Sequence, residues 1–513
     1  MGRGQFLLLG VAVAGAGALA LVHARHREAP LVDDALAPVA AASLPSTSPP
    51  ATSMPTSRGS TLSGALGDRI AQARWIAVGA GAWPEATQVQ IEQDVGLARE
   101  VLGERGVVLF AAGADAAVVQ VQRPGGERDP LGSALADLFA PRGGRNAEYR
   151  APNIPVDAPA TAAHVLDALD LATSRSGDPL LVFVAGHGDV GAQARANTVA
   201  LWAGSDVTPE QVASVLEDAR RPVRLVVTTC FSGGFAELVF DDADEASGPS
   251  PQLHCGLFAA PWDLEAAGCD PNPERAEQEG YAMHFLEALR GRGRDGEPLT
   301  LDVLDYDHDG VIGLLDAHTR VRIASTAADV PTTTSERWLR RHAPSGGPLA
   351  HVDLPEEDAV IEALLRRVGL DGRGAAEARL AEAALAIDAA STAVEQAQLD
   401  EDAAFRAAAG ELLARWPVLD DPWHPEFATV YRHDREEIAR TLAASSAYAQ
   451  YLRARERAAA AQLALTDHEV TAAPLERLVR AYETRELAGR LAAAGGAAFE
   501  RFEGLRACER ARP

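Results

Sequence analysis

LLVFVAGHGD (180–189) and RLVVTTCFSGG (224–234) are the two stretches that decide the fold of this chain. Each is a short apolar run, rich in β-branched residues, that ends in a glycine-rich turn, as is typical of buried strands in a parallel sheet. The first run leads to His187 and the second to Cys230. Because functional side chains collect at the carboxyl ends of such strands, we expect an imidazole and a thiol at one sheet edge.

Further strand and helix patterns alternate along the chain on both sides of these stretches. Strands are predicted at 74–79, 107–110 and 256–260, and helices at 88–103, 161–173, 208–220 and 281–289. This alternation predicts the α/β class, with a mostly parallel sheet covered by helices on both faces, a three-layer α/β/α sandwich. A polar connection at 123–159, with a short helix near 131–139, interrupts the alternation.

The 513 residues exceed one average domain and divide by composition into four parts. Residues 1–24 contain Arg3 and an apolar run, and are either a cleaved signal peptide or a membrane anchor. Residues 25–70 are rich in Ala, Pro, Ser and Thr, which predicts a disordered linker. An α/β domain at 71–345 follows, and the region 356–513 is predicted to form long antiparallel helices.

The balance of charge limits the kinds of partner. The formal net charge of −26 argues against a nucleic-acid partner, because binding phosphates requires a basic surface. The N-terminal segment predicts an exported protein, periplasmic or extracellular, that is either released or tethered to a membrane. The C-terminal helices are a candidate surface for a protein partner, in the manner of a coiled coil.

Four cysteines are present: Cys230, Cys255, Cys269 and Cys508. Cys255 and Cys269 lie in a loop-rich stretch, so in an exported protein they either pair with each other or remain two free thiols. In both cases Cys230 is predicted to be a free thiol inside the folded sheet.

Cys230 and His187 together predict nucleophilic catalysis. A thiol is a nucleophile only as the thiolate, and a neighbouring imidazole can accept its proton. The backbone N–H groups of Gly188 and Cys230 can then hold the oxyanion of an acyl intermediate, and Gly188 has no Cβ to obstruct a substrate.

At these residues the chain, from about 74 to 343, resembles the caspase/legumain-type cysteine peptidases of the caspase–hemoglobinase fold. The resemblance lies in the apolar strands before His187-Gly188 and before Cys230, and in the Ser232-Gly233 pair that follows. The next stretch, GLFAAPWDLEAAGCD (256–270), is closer to the legumain side. The resemblance implies a dyad with Cys230 as nucleophile and His187 as general acid and base, and an oxyanion hole from the Gly188 and Cys230 backbones.

Two departures from the family pattern concern the residues around the cysteine. Thr228-Thr229 stands where legumain-like members carry an acidic residue and alanine, and the caspase signature Gln-Ala-Cys-x-Gly is absent. The resemblance also implies that the substrate residue before the scissile bond is selected near Asp263 and Glu265. An acidic pocket there would favour Arg or Lys by charge pairing, and the alternative is that both acids are exposed loop residues.

DYDHDGVIGLLD (305–316) fits the EF-hand calcium loop. Asp305, Asp307 and Asp309 would supply side-chain oxygens, Val311 its backbone carbonyl, and Asp316 the last ligand. Asp316 replaces the usual Glu, and its shorter side chain would weaken calcium binding or favour magnesium. The alternative is an acidic turn without an ion.

The sequence therefore predicts a cysteine endopeptidase that hydrolyses peptide bonds in a peptide or protein substrate and carries a bound Ca²⁺. The first alternative is a catalytically inactive, calcium-binding scaffold protein of the same fold. A further alternative makes the C-terminal helices the functional part, with the peptidase as their regulator.

Overall fold

The computed structural model describes residues 62, 64–122, 129–139, 147–422 and 424–513. The predicted signal or anchor at 1–24 and most of the predicted linker at 25–70 lie outside the described residues. Within the described ranges, no helix combines the length and hydrophobicity needed to cross a bilayer.

The central sheet has six strands, in the order β2-β1-β5-β9-β10-β11 by the numbering below. In chain order the strands are β1 (Trp75–Ala80), β2 (Gly106–Phe110), β3 (Val119–Gln122), β4 (Ala147–Arg150), β5 (Leu180–Gly186), β6 (Gly188–Asp189), β7 (Thr198–Leu201), β8 (Ser205–Val207), β9 (Val223–Val227), β10 (Cys255–Phe258) and β11 (Thr332–Thr333). All neighbours in the central sheet are parallel except β11, which pairs antiparallel with β10. The strands predicted from the apolar runs are confirmed.

Two small antiparallel sheets extend from the central one. β3 pairs with β4, and β6, β7 and β8 form a three-stranded sheet directly after β5. The polar insertion lies between β3 and β4. The three-stranded sheet begins at Gly188, directly after His187.

Fifteen helices are described. In chain order they are α1 (Ala65–Ala71), α2 (Val89–Leu102), α3 (Pro130–Phe139), α4 (Ala162–Thr173), α5 (Pro209–Leu216), α6 (Tyr281–Leu289), α7 (Leu301–Leu304), α8 (Leu314–Ala324), α9 (Thr334–His342), α10 (Pro355–Val368), α11 (Arg373–Leu413), α12 (Phe427–His433), α13 (Arg435–Ala444), α14 (Ser446–Ala494) and α15 (Ala497–Arg510). The mixed α/β class, the mostly parallel sheet and the C-terminal helices are confirmed.

Strand residues alternate between two apolar clusters, as the two-residue period of a strand requires. One cluster joins Val182 and Leu225 to α1, α4 and α5. The other joins Phe183 and Val226 to α2, α6 and α8. Because both faces of β5 and β9 are buried, their sequences are continuous apolar runs instead of alternating ones.

Helix α1 corrects the C-terminal end of the predicted linker. Ala65–Ala71 is helical, and Ile70 is fully buried in the cluster that contains Val182. The single buried isoleucine in a stretch of small and polar residues gave too weak a pattern to predict this helix.

The long helices α11 and α14 pack against each other in opposite directions. Near the α/β domain, Arg373 at the start of α11 forms an ion pair with Glu486 near the end of α14. At the far end, Leu412 and Tyr451 share an apolar cluster with Leu135 of α3. The insertion between β3 and β4 therefore contacts the distal end of the helical region.

The disulfide connects Cys255 in β10 to Cys508 in α15, with the two Cα atoms 6.1 Å apart. The predicted alternatives for Cys255, pairing with Cys269 or remaining free, are both wrong. Packing explains this result, because Cys255 shares a buried cluster with Phe502 and Leu505 of α15. Cys230 is free as predicted, and Cys269 is also free.

Candidate active site

The parallel pairing of β5 and β9 determines where His187 and Cys230 lie. In the observed register Val184 is opposite Val227. His187 and Cys230 each follow this pair by three positions and lie just beyond the ends of β5 and β9. The structure therefore places the imidazole and the thiol at the carboxyl ends of adjacent strands.

Close backbone contact at this edge requires glycine on either side of His187. A Cβ at Gly188 would lie 2.2 Å from the Cys230 carbonyl oxygen, and one at Gly186 would lie 2.3 Å from the Ala80 carbonyl oxygen. Gly186 also has a φ of 149°. Side chains at these positions would push β5 away from its neighbours, so both glycines hold the edge together.

His187 is oriented by Gln88, which lies in the turn before α2. The Nε2 atom of His187 is 2.9 Å from Oε1 of Gln88. Because an amide oxygen only accepts hydrogen bonds, Nε2 carries the proton in this arrangement, and Nδ1 is the basic nitrogen of the neutral ring. Gln88 thus selects one tautomer of His187.

Cys230 precedes a sharp turn. Phe231 has a left-handed φ of 56°, and its N–H donates a hydrogen bond to the Leu264 carbonyl at 2.8 Å. The Ala266 N–H lies 3.4 Å from the Cys230 Sγ, which in turn donates to the Ala266 carbonyl at 3.5 Å. The loop after β10 therefore holds both the turn and the thiol in place.

The surroundings of Cys230 favour the neutral thiol. Burial is the main cause that raises the pKa of Cys230 to about 12, and the negative charge of Glu265 raises it further. The hydrogen bond from Ala266 acts in the opposite direction, and the charge of Asp329 adds to the increase. Formation of a thiolate therefore requires a base or a nearby positive charge.

Glu265 and Asp329 are the acids that act most directly on this thiol. Burial raises the pKa of each to about 7. Asp329 is fully buried and accepts a hydrogen bond from the Ala267 N–H at 2.6 Å through Oδ1. Its Oδ2 atom has no hydrogen-bond partner among the described residues.

Asp263, the predicted specificity residue, lies on the same loop but is directed toward another element. Its charge contributes to raising the pKa of Glu476 in α14, which burial raises first. Asp263 is not among the charges that most affect Cys230, whereas Glu265 is. The structure thus brings Glu265 close to the thiol and associates Asp263 with the C-terminal helix.

The variant Asp329→Asn is expected to flatten the pH dependence of stability. The pKa of Asp329 is about 7 in the folded chain and about 3.9 in an unfolded one. When folding raises the pKa of a carboxyl group, that group stabilises the folded chain at pH values below its unfolded pKa. This stabilisation is lost as the pH rises through the folded pKa. Asparagine keeps the acceptor for Ala267 without titrating. Between pH 5 and 8 the wild type should lose on the order of 2 kcal/mol more unfolding free energy than the variant.

The measurement is urea unfolding at several pH values. Asp178→Asn is a suitable control because the Asp178 side chain is 73% exposed, and it should follow the wild-type curve. Parallel curves for wild type and Asp329→Asn would contradict the expected role of Asp329.

The predicted calcium loop connects α7 and α8. Asp305, Asp307 and Asp309 each offer a carboxylate oxygen, and these atoms all lie within 4.8 Å of one another. Asp305 also accepts hydrogen bonds from the N–H groups of Asp309 and Gly310, at 3.1 and 2.9 Å. Such a cluster can hold a metal ion, and oxygen ligands alone do not distinguish calcium from magnesium.

Asp316 and Val311, the two remaining predicted ligands, form hydrogen bonds within the loop. Asp316 accepts hydrogen bonds from the Tyr306 and Gly313 N–H groups, both at 2.8 Å, and does not join the carboxylate cluster. The Val311 N–H donates to Asp309 at 2.8 Å within the same turn. Asp316 thus caps the start of α8 and braces the loop.

Sequence reasoning did not find Gln88, Asp329 or Cys269 as residues of this site. Gln88 follows the first predicted strand, whose carboxyl end reaches the same edge, and that position was the available signal. Asp329 lies in the connection between α8 and β11, far from Cys230 in sequence, and no local pattern marks it. Cys269 was considered only as a partner of Cys255 or as a free thiol, not as a residue of the site.

Neither the comparison with protein-family models nor that with curated proteins finds a match to this chain. The function is therefore inferred from the residues of the site and from their contacts.

Proposed function

We propose that the chain is a cysteine endopeptidase with a caspase–hemoglobinase-type, three-layer α/β/α domain. The observation that supports the proposal most is the parallel pairing of β5 and β9, because His187 and Cys230 follow directly after the carboxyl ends of these adjacent strands. The hydrogen bond between His187 and Gln88 supports it, because a catalytic base is commonly oriented by a third group.

The proposed mechanism begins with transfer of the Cys230 proton to Nδ1 of His187. The thiolate attacks the peptide carbonyl carbon, and the N–H groups of Gly188 and Cys230 stabilise the oxyanion. The imidazolium then protonates the leaving amine, which departs and leaves an acyl-enzyme. Water, deprotonated by His187, attacks the acyl carbon and releases the carboxylic acid and the free thiol.

We propose that the preferred substrate has Arg or Lys before the scissile bond. The ionised forms of Glu265 and Asp329 place negative charge near the thiol and raise the pKa of Cys230. A cationic substrate side chain would neutralise that charge and so lower the cost of forming the Cys230 thiolate. Asp263, two residues before Glu265 on the same loop, would add negative charge to this region.

The proposed Ca²⁺ is held by Asp305, Asp307 and Asp309 with the Val311 carbonyl, while Asp316 braces the loop through the Tyr306 and Gly313 N–H groups. Its contribution is to neutralise the carboxylates and to fix the start of α8, which packs against α6 beneath the sheet. The ion would therefore support the α/β domain without taking part in the reaction.

The variant Asp309→Asn should abolish most of the stabilisation by Ca²⁺ because it removes one charged ligand. At a calcium concentration one hundred times Kd, the wild type should gain about 2.7 kcal/mol of unfolding free energy. Asp302→Asn changes an exposed acid in the preceding helix α7 and should retain the gain. The measurement is thermal unfolding with Ca²⁺, with Mg²⁺ and with chelator; equal responses of both variants would refute the site.

The alternative of an inactive, calcium-binding scaffold is favoured by one observation, the pKa of Cys230 near 12. Profiling of a peptide library by the full chain, with and without Ca²⁺, separates the two functions. Peptide cleavage that the wild type performs and that is lost when the Cys230 thiol is removed supports the peptidase. Calcium binding without any cleavage supports the scaffold.

We further propose an exported protein, with a membrane tether if the 1–24 segment is retained. The disulfide between Cys255 and Cys508 supports export, because such bonds persist in oxidising compartments. The long helices expose Leu385, Leu399 and Leu463 to solvent, which makes them a candidate surface for a protein partner.

A further inference from the structure

Two cysteines of the chain, Cys230 and Cys269, remain thiols although Cys255 and Cys508 form a disulfide. Cys269 is three residues beyond Ala266. The N–H and the carbonyl group of Ala266 both form hydrogen bonds with the Cys230 Sγ. One short loop segment therefore holds Cys230 at one end and carries Cys269 at the other. Cys269 packs against the apolar cluster on the face of the sheet that α2 and α6 cover.

The hydrogen-bond ladder between β5 and β9 shows how close Cys269 comes to Cys230. The Thr228 N–H donates to the Val184 carbonyl at 2.9 Å, and the next bond of a parallel ladder would join the Cys230 N–H to the Gly186 carbonyl. Instead, the Cys269 Sγ donates to that carbonyl at 3.4 Å. The Cys269 thiol thus takes the position in the ladder that belongs to the Cys230 amide.

The backbone that brings Cys269 to this place is unusual. Cys269 has a left-handed φ of 61°, and Gly268 before it has a φ of 145°. A non-glycine residue in this conformation costs about 1–3 kcal/mol and persists only where other contacts impose it. Between β10 and α6 the loop has only one short 3-10 turn, Arg275–Glu277, so a small shift of Cys269 would disturb no long element.

We propose that Cys269 is a resolving thiol that forms a reversible disulfide with Cys230 when a hydroperoxide oxidises Cys230. The Cys230 thiolate attacks the O–O bond of hydrogen peroxide, giving a sulfenic acid and hydroxide. The Cys269 thiolate then attacks the Cys230 Sγ, forming the S–S bond and releasing the second hydroxide. Together, two thiols and one peroxide give one disulfide and two waters, with peroxide as the two-electron oxidant.

The electrostatics of the two thiols fix the pH dependence of this reaction. Burial raises the pKa of Cys269 well above the usual range, and the charge of Cys230 raises it further. Because both steps need a thiolate, the reaction should accelerate about tenfold per pH unit below the thiol pKa values. The disulfide would make Cys230 unable to attack a substrate while protecting it from irreversible oxidation.

The test treats the full chain with hydrogen peroxide at pH 7 and pH 9, alkylates the remaining thiols and maps non-reduced peptides by mass spectrometry. The expected product joins Cys230 to Cys269, forms faster at pH 9 and returns to two thiols with dithiothreitol. The Cys255–Cys508 peptide serves as an internal control in each sample. The readout is chemical, so it holds whether or not the site hydrolyses peptides.

Cys269→Ser and Cys269→Ala provide the matched comparison, since neither can resolve a sulfenic acid. In both variants Cys230 should react with a sulfenic-acid probe and accumulate at least about tenfold more sulfinic acid than in the wild type. Equal sulfinic acid in wild type and variants overturns the proposal. Failure of both wild-type thiols to oxidise at pH 9 overturns it as well.

Discussion

Replacing Cys230 with alanine is expected to lower kcat/KM for a cleavable peptide by at least about 10³-fold. The reason is that the proposed acyl intermediate forms on the Cys230 sulfur. His187→Ala should cost a similar factor, because the thiol has a pKa near 12 and depends on a base to lose its proton. Since the two residues act as a unit, the double variant should be scarcely worse than either single variant.

The measurement is initial-rate hydrolysis of the best substrate from the peptide library. His351→Ala replaces an exposed histidine and is a matched control that should keep wild-type activity. Circular dichroism shows whether each variant is folded. Unchanged hydrolysis by folded Cys230→Ala would rule out the proposed peptidase, and a loss in His351→Ala would make the His187 result uninformative about catalysis.

The variant Glu357→Ala is expected to destabilise the chain by about 3–5 kcal/mol. Glu357 in α10 and Arg322 in α8 form a two-point ion pair, with distances of 3.0 and 2.6 Å. Their side chains are only 4% and 7% exposed. Removing the carboxylate leaves the Arg322 guanidinium buried without its charge partner, which costs far more than loss of a surface pair.

Urea unfolding of wild type and variant measures this difference. Glu362→Ala, also in α10, removes a carboxylate that is 75% exposed and pairs with Arg366 at 3.7 Å. That control should change the unfolding free energy by less than about 0.5 kcal/mol. Equal effects of the two variants would show that α10 is not coupled to the α/β domain through this pair.

The sequence predicted the central sheet well because β5 and β9 are buried on both faces. Such strands are long apolar runs with abrupt glycine-rich ends, and their reactive residues follow directly. The helical region was predicted for a similar reason, since few breakers interrupt its long Ala- and Leu-rich segments. In both cases a local pattern is sufficient.

The rest of the site depends on contacts between distant segments, which leave no local pattern. Asp329, in the connection before β11, acts on Cys230 through its charge. Cys508 is brought to Cys255 by the packing of α15. Sequence spacing does not show which way the irregular loop after β10 turns, so it could not show that the charge of Asp263 acts on Glu476 of α14. Asp316 fits a ligand position by spacing, yet its carboxylate accepts hydrogen bonds from the Tyr306 N–H in the loop and from the Gly313 N–H at the start of α8.

The bond between Cys255 and Cys508 joins positions 253 residues apart and so closes most of the second half of the chain into a covalent ring. The segment 344–349, between the α/β domain and the helices, is exposed throughout, and Leu349 is 63% exposed. A protease that cuts there would open the ring without releasing a fragment. The two pieces would migrate together on a non-reducing gel and separate only after reduction, so nicking and dissociation of the helical region are separate events.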